Sequence, residues 1–278
     1  MKRFFALLLL FSSIEYVGCF YTTACGNYGV LLPLILAGLG SHLVEKILFY
    51  QYQRKGYEKL QRDENLKIVS ITASFGKTSM KNILTHLLTP KYRVYATPRS
   101  VNTIGGLVKD VNTDLPENIE VYITEAGARE EGDILEISLF LEPHYAIIGK
   151  VGAQHLEYFK TLERIKDTKR ELLASPRLLD AFIDESATLE GDKEQGFMVL
   201  GDEGEIKVGE VKGDLHGITF EMDVHGEHLC LYAPLLGRFN AVNIALCVAC
   251  ALKMGVDKET IVAQVATLHP TCLLYTSR

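Results

Sequence analysis

The stretch Ile68-Val-Ser-Ile-Thr-Ala-Ser-Phe-Gly-Lys-Thr-Ser79 constrains the fold more than any other part of the chain. An apolar, β-branched run gives way to small residues and then to Gly76-Lys77-Thr78. Behind it Met80, Ile83, Leu84, Leu87 and Leu88 recur at i, i+3, i+4, i+7 and i+8, one face of an amphipathic helix. A strand, a tight turn and a helix start, in that order, make an anion site. The unpaired backbone N–H groups of the first turn and the helix dipole both point at whatever sits there. In such a site Lys77 supplies a point charge to the outer phosphates of a nucleotide, and the Thr78 hydroxyl reaches Mg²⁺. The full phosphate-loop pattern also wants a glycine where Ile71 stands. The plainer alternative is a glycine-led helix start with an exposed lysine.

From Lys67 onward strand and helix patterns alternate. Lys67–Thr72, Arg93–Thr97, Val121–Glu125 and Tyr145–Ile148 are expected strands. Lys77–Leu88, Glu131–Leu141 and Leu162–Leu173 are expected helices. This alternation predicts an α/β domain over residues 67–270, with a mainly parallel sheet flanked by helices. Phe197–Ala233 differs. Its short alternating runs, broken by Gly204, Gly209, Gly213, Gly217 and Gly226, predict a small antiparallel section of hairpins. His225 and His228 flank Gly226 as a hairpin turn and not as a metal site. Arg238–Met254 is apolar on nearly all sides, a buried helix, and Asp257 caps a last helix reaching Leu268.

The N-terminal part is apolar. Phe4–Phe20 and Val30–Tyr50 each approach the ~20 residues that span a bilayer. Lys2 and Arg3 precede the pair, Arg54, Lys55 and Lys59 follow it, and the segment between carries no charge. The expectation is a transmembrane helical hairpin with both ends in the cytoplasm, residues 1–52, then a linker helix, residues 53–66. A cleaved signal peptide with a lipid-bearing Cys19, or a hairpin buried in a soluble protein, are the alternatives; Glu15, His42 and Glu45 favour the latter. The formal net charge of −6 gives no reason to expect nucleic acid as a partner. The six cysteines are scattered, and Cys247 and Cys250 sit in the buried-helix run where small thiols serve as alanines do. The segment 271–278 fits no pattern and is expected to be a non-native tail.

Several side chains fall where chemistry is done. Glu125 ends an expected strand, on the carboxyl edge where parallel sheets bind ligands; it either holds a metal there or is a surface glutamate. His155, in Gly152-Ala-Gln-His-Leu-Glu157, follows the next strand on the same edge as a ligand or an ordinary exposed histidine. Lys169 falls within the apolar stripe of Leu162, Ile165, Leu172 and Leu173, a costly place for a lysine that is neither paired nor modified. Asn240 and Asn243 lie one turn apart at the start of the buried helix, where they either read an adenine edge or cap the helix. Thr97–Gly106, with Asn102, Gly105 and Gly106, is an expected loop within reach of a substrate.

Together these segments resemble the central domain of the Mur ligases, the ATP-dependent amide-forming enzymes of peptidoglycan synthesis, from about Lys67 to Leu268. Thr72-Ala-Ser-Phe-Gly-Lys-Thr-Ser79 stands where that family has TGxxGKT/S, with Ala73 replacing the usual glycine. The resemblance implies that Thr72, Ser74, Gly76, Lys77, Thr78 and Ser79 bind ATP. Glu125-Ala-Gly-Ala128 resembles the E-x-G-A segment whose glutamate holds Mg²⁺. His155-Leu-Glu157 and Asn102-Thr-Ile-Gly105 are similar to the HLE and N-x-I-G segments of the D-alanyl-D-alanine-adding branch. They imply His155 as ligand to a second magnesium and Asn102 and Thr103 as substrate contacts. Lys169 aligns with a lysine that several members carbamylate into a further metal ligand. Gly237-Arg-Phe-Asn-Ala-Val-Asn243 is similar to the adenine segment G-x-H-N-x-x-N, with Phe239 in place of histidine.

The implied reaction moves the γ-phosphoryl group of ATP to the peptide carboxylate of a UDP-N-acetylmuramoyl-tripeptide. The amine of D-alanyl-D-alanine then attacks the acyl phosphate, with Lys77, His155 and Lys169 in catalytic roles. The UDP-sugar-gripping N-terminal domain of the family is replaced by the apolar hairpin, and its C-terminal domain has no counterpart. The chain is therefore expected to be a fragment, inactive alone, on the cytoplasmic face of the inner membrane. Two rival expectations remain: a membrane-tethered poly-γ-glutamate synthase, and a membrane-anchored P-loop ATPase that is no ligase.

Overall fold

The computed structural model describes residues 10, 31–153, 159–224 and 226–269. The chain divides into two compact units, residues 1–58 and residues 59–278. The first unit contains most of one long helix, α1 (Leu31–Arg62), which ends within the expected linker.

Among the described residues no helix is long and apolar enough to cross a membrane, which overturns the expected transmembrane hairpin. The physical reason lies in α1 itself. Its uninterrupted apolar run, Leu31–Gly40, is about half of the ~20 residues a bilayer requires. Beyond it Ser41, His42, Glu45 and Lys46 place polar groups on successive turns. The other apolar segment, Phe4–Phe20, lies outside the described residues apart from Leu10.

The second unit is an α/β sheet domain. Its strands are β1 (Lys67–Thr72), β2 (Val94–Ala96), β3 (Val121–Glu125), β4 (Tyr145–Ile148), β5 (Asp180–Asp184), β6 (Met198–Leu200), β7 (Ile206–Val208), β8 (Lys212–Gly213), β9 (Ile218–Val224) and β10 (Glu227–Ala233). They join in the order β10-β9-β7-β6-β5-β4-β1-β3-β2, with β8 paired to β9. From β2 across to β7 every pairing is parallel, and β9 and β10 are antiparallel. The expected hairpin section thus begins later than the glycines suggest, because β6 and β7 extend the parallel array.

The helices are α2 (Lys77–Leu88), α3 (Ile104–Thr113), α4 (Asp133–Leu141), α5 (Leu162–Arg170), α6 (Phe239–Lys253) and α7 (Lys258–Ala266). Val69 and Ile71 of β1 and Val121 and Ile123 of β3 join one buried cluster with α2, α6 and α7. The alternate side chains point to the opposite face, as a period of two requires. There Ser70 and Thr124 are hydrogen-bonded at 2.9 Å, and Tyr122 donates to Asp110 of α3 at 2.7 Å. α3 replaces part of an expected loop. Gly105 and Gly106 are poor helix formers, but full burial of Leu107, Val108 and Val111 outweighs that.

β1 lies between β3 and β4. The chain leaves β1 for the β2–β3 side and later returns to β4 on the other side. The crevice opened at such a switch point, outside the carboxyl ends of the strands, is where open α/β sheets bind ligands.

Candidate active site

The segment from Thr72 to Gly76 is pinned on both sides by its neighbours. Ala126 N donates to Ile71 O at 2.8 Å, Gly149 N to Thr72 O at 2.9 Å, and Ser74 N to Lys150 O at 3.0 Å. The Thr72 hydroxyl donates to Ala126 O at 2.9 Å, and Ser74 Oγ accepts from Gly152 N at 3.0 Å. These two side chains, expected at a nucleotide, are thus tied to the exits of β3 and β4 and shape the loop. Ala73 fits because Gly149 faces it. A Cβ on Gly149 would lie 3.1 Å from the Ala73 Cβ and 2.6 Å from Met80 Cε.

Gly76 opens α2 with φ 82°, the left-handed region, and contributes no side chain to the helix start. A Cβ there would stand 2.8 Å from Asn243 Nδ2, so Asn243 of α6 packs directly on the loop's turning point. No side-chain oxygen caps α2 and its first turn carries no acid, which leaves its N–H groups for an anion.

Lys77 Nζ donates to Ala73 O at 2.7 Å. Burial lowers its pKa, opposed by the nearby Glu125 carboxylate. Thr78 Oγ1 donates to Glu125 Oε2 at 3.1 Å. Glu125 is 1% exposed, so it is no surface glutamate. Its Oε1 is ion-paired with Lys81 Nζ at 2.8 Å, and since a carboxylate offers about four lone-pair sites, capacity for a further partner remains. A hydroxyl and a carboxylate with free capacity are the oxygen-only donors a hard dication takes, and the pair fits Mg²⁺.

Lys81 was not among the expected site residues. It is 2% exposed, pairs with Glu125, donates to Thr97 O at 2.6 Å, and also donates to Arg99 O. One ammonium thereby joins α2, the end of β3 and the loop after β2. The sequence signal was weak: Lys81 precedes Leu84 by three residues and Leu88 by seven, which puts it at the edge of the apolar stripe, where a lysine usually reaches solvent.

Lys169 sits on α5, 6% exposed. Burial and repulsion from Lys77 lower its pKa to about 7, against a smaller upward pull from Glu171. It lines a cavity of about 660 Å³ together with Lys77, Asn102, Thr103, Gly127, Arg129, Glu130 and Asp133. Asn102 O accepts from Gly127 N at 2.8 Å, locking the loop after β2 to the loop after β3. Thr103 is also the N-cap of α3.

Ser79 and Asn240 line a second cavity of about 420 Å³, with Asn82, Ile83, His86 and Phe239. Asn240 Nδ2 donates to Leu236 O at 2.9 Å, a bond local to the helix start. The structure therefore brings together Lys77, Thr78, Glu125 and Lys169 with Asn102 and Thr103, and it places Ser79 and Asn240 in a neighbouring cavity. His155 lies outside the described residues.

A parallel strand, a glycine turn, an uncapped helix start and a carboxylate on the adjacent strand define a P-loop α/β domain. Residues 71–251 match the Mur ligase middle domain, and the chain belongs to the Mur ligase family. It is 29% identical over 202 residues to a UDP-N-acetylmuramoyl-tripeptide--D-alanyl-D-alanine ligase of Treponema pallidum, covering 69% of this chain and 42% of that protein. Its fold is similar to that of MurF from Acinetobacter baumannii, with a TM-score of 0.73 and 24% identity over 78% of this chain and 49% of that one. It is also similar to MurF ligase from Thermotoga maritima in complex with ADP, with a TM-score of 0.69 and 26% identity over 78% of this chain and 52% of that one. The chain spans about half or less of the length of the curated relatives it matches.

Proposed function

We propose that this chain is the ATP-binding part of a ligase that joins D-alanyl-D-alanine to a UDP-N-acetylmuramoyl-tripeptide. The observation that carries the reading is the meeting of Lys77, Thr78 and Glu125 at the carboxyl edge of the sheet, beside a cavity that also holds Lys169. The relatives named for this reaction support the choice of substrates.

The α2 start would take the triphosphate of ATP and the second cavity its base, where Phe239, 68% exposed, offers a ring face beside Asn240. Asn243 holds the loop's shape by packing on Gly76. Thr78 and Glu125 would hold Mg²⁺, which would supply charge neutralisation. Lys77 reaches the transferring phosphoryl group and steadies the charge that spreads over it. Asn102 and Thr103 orient the tripeptide carboxylate toward the γ-phosphate from the larger cavity. In-line placement is most of the work in phosphoryl transfer.

Lys169, with a pKa near neutrality, presents an uncharged amine over much of the physiological range. That is the form that adds CO₂ with release of one proton, and the resulting carbamate would be a metal ligand, with His155 as a further one. ATP supply places the reaction in the cytoplasm.

The test is phosphate release by the protein expressed from its complete reading frame. Release is expected only when the UDP-linked tripeptide and D-alanyl-D-alanine are both present. Turnover with glutamate as the only amine, or with no amine at all, would overturn the assignment.

A further inference from the structure

The turn at Gly226, with φ +81°, folds β9 onto β10 in a register that sets Glu221 opposite Cys230 and Asp223 opposite His228. Phe220, Met222, Val224, Leu229 and Leu231 take the alternate positions and are buried. Glu221, Asp223, His228 and Cys230 therefore share the outer face, and all four are exposed.

Three of them converge, in contrast to the expectation from sequence that His228 serves only the hairpin turn. One ligand atom each from Glu221, His228 and Cys230 lies within 4.8 Å of the others. Cys230 Sγ is 3.7 Å from His228 Nε2. A thiolate and an imidazole on one tetrahedral zinc ion stand roughly 3.5 Å apart, given bond lengths of about 2.3 and 2.0 Å. The fourth residue sets the histidine. Asp223 Oδ1 lies 2.8 Å from His228 Nδ1. A carboxylate that accepts the Nδ1–H leaves the Nε2 lone pair turned toward the sulfur, the arrangement that orients metal-binding histidines. On the other side of Glu221 the neighbouring chain is Gly209, which brings no side chain to crowd the carboxylate. Lys207, in register with Asp223, partly balances the acids.

We propose that the outer face of the β9–β10 hairpin is a binding site for a zinc-class dication, with Cys230 Sγ, His228 Nε2 and a Glu221 carboxylate oxygen as ligands and Asp223 as the residue that positions His228. Binding releases the Cys230 thiol proton to solvent, because the thiolate is the ligand. Thiolate and imidazole select this class of ion over Mg²⁺, in contrast to the oxygen-only pair at Thr78 and Glu125. Three protein ligands leave a fourth position for water. Since β10 is the edge strand of the sheet, the ion clamps the hairpin at that edge. The site is independent of the reading given above for the nucleotide cavity.

Cobalt titration in excess Mg²⁺ tests it, with Co²⁺ as the optical probe. The chain is expected to bind one equivalent with a thiolate-to-cobalt charge-transfer band that Zn²⁺ abolishes by displacement. Cys230→Ser should lose the band. His228→Ala should weaken binding at least about 10-fold, and Asp223→Asn about 10- to 100-fold with the band kept. All four side chains are exposed, so these substitutions leave the core untouched. Absence of the band in the parent chain, its survival in Cys230→Ser, or unchanged affinity in Asp223→Asn would each overturn the proposal.

Discussion

Replacing Lys81 with methionine removes one ammonium from the centre of the site. Lys81 and Glu125 are 2% and 1% exposed, and their charged atoms are 2.8 Å apart. Methionine keeps most of the stem volume and deletes the charge. Among the described residues Glu125 then remains buried with only Thr78 as a hydrogen-bond partner, and the carbonyls of Thr97 and Arg99 lose their Lys81 donor. Breaking a buried pair from one side costs about 3–5 kcal/mol, mostly because the survivor keeps an uncompensated charge. Glu125→Gln should cost a comparable amount by stranding the ammonium. The double variant removes both charges together, so its cost should fall short of the sum by about 2 kcal/mol or more. The chain has no tryptophan, so urea unfolding followed by far-ultraviolet circular dichroism is the suitable assay. A loss below about 1 kcal/mol for Lys81→Met, or strict additivity in the double variant, would refute the reasoning.

Gly76→Ala should weaken nucleotide binding and lower stability by at least about 1 kcal/mol. It forces a Cβ into the left-handed region and onto Asn243, and a calorimetric titration with stability unchanged would contradict this. Lys169 gives a pH signature. Its folded pKa of about 7 lies below the ordinary 10.5, so the unfolded chain binds the extra proton between those values and stability rises with pH across that window. In bicarbonate-free buffer the parent chain should lose about 2 kcal/mol relative to Lys169→Met on going from pH 9 to pH 7, and parallel urea midpoints would contradict it.

The sequence made β1, β3, β4 and α2 legible to the residue, because each couples a clear period to a clear stop: β-branched runs ending in small residues, and a five-residue apolar stripe behind Gly76. Asp180–Asp184 was not legible, since only Ala181-Phe-Ile183 is apolar and the strand is defined by its parallel neighbours β4 and β6. Local propensity also hid α3, whose two glycines are overridden by burial. Lys169 stood out as a lysine centred on an apolar stripe, whereas Lys81 falls at the edge of the α2 stripe, and its burial comes from tertiary partners that periodicity does not reveal. The N-terminal apolar count misled because it gave total apolar length and flanking charge more weight than the polar residues His42 and Glu45, which with Ser41 and Lys46 interrupt the run on successive turns. For the asparagine pair the capping reading is not what the structure shows, since the N-cap is Arg238 and Asn240 instead donates to Leu236 O, while Asn243 packs on the glycine turn, a contact that neither reading named.

Isothermal titration of the chain with Mg²⁺ and ADP reports most directly on whether Gly76, Lys77, Thr78 and Glu125 form a nucleotide cradle. One equivalent should bind. Lys77→Met should weaken binding at least about 10-fold, and Thr78→Ala should remove most of the advantage that Mg²⁺ confers. A chain that binds no ADP, or binds it equally well without Lys77 and Thr78, would contradict that picture.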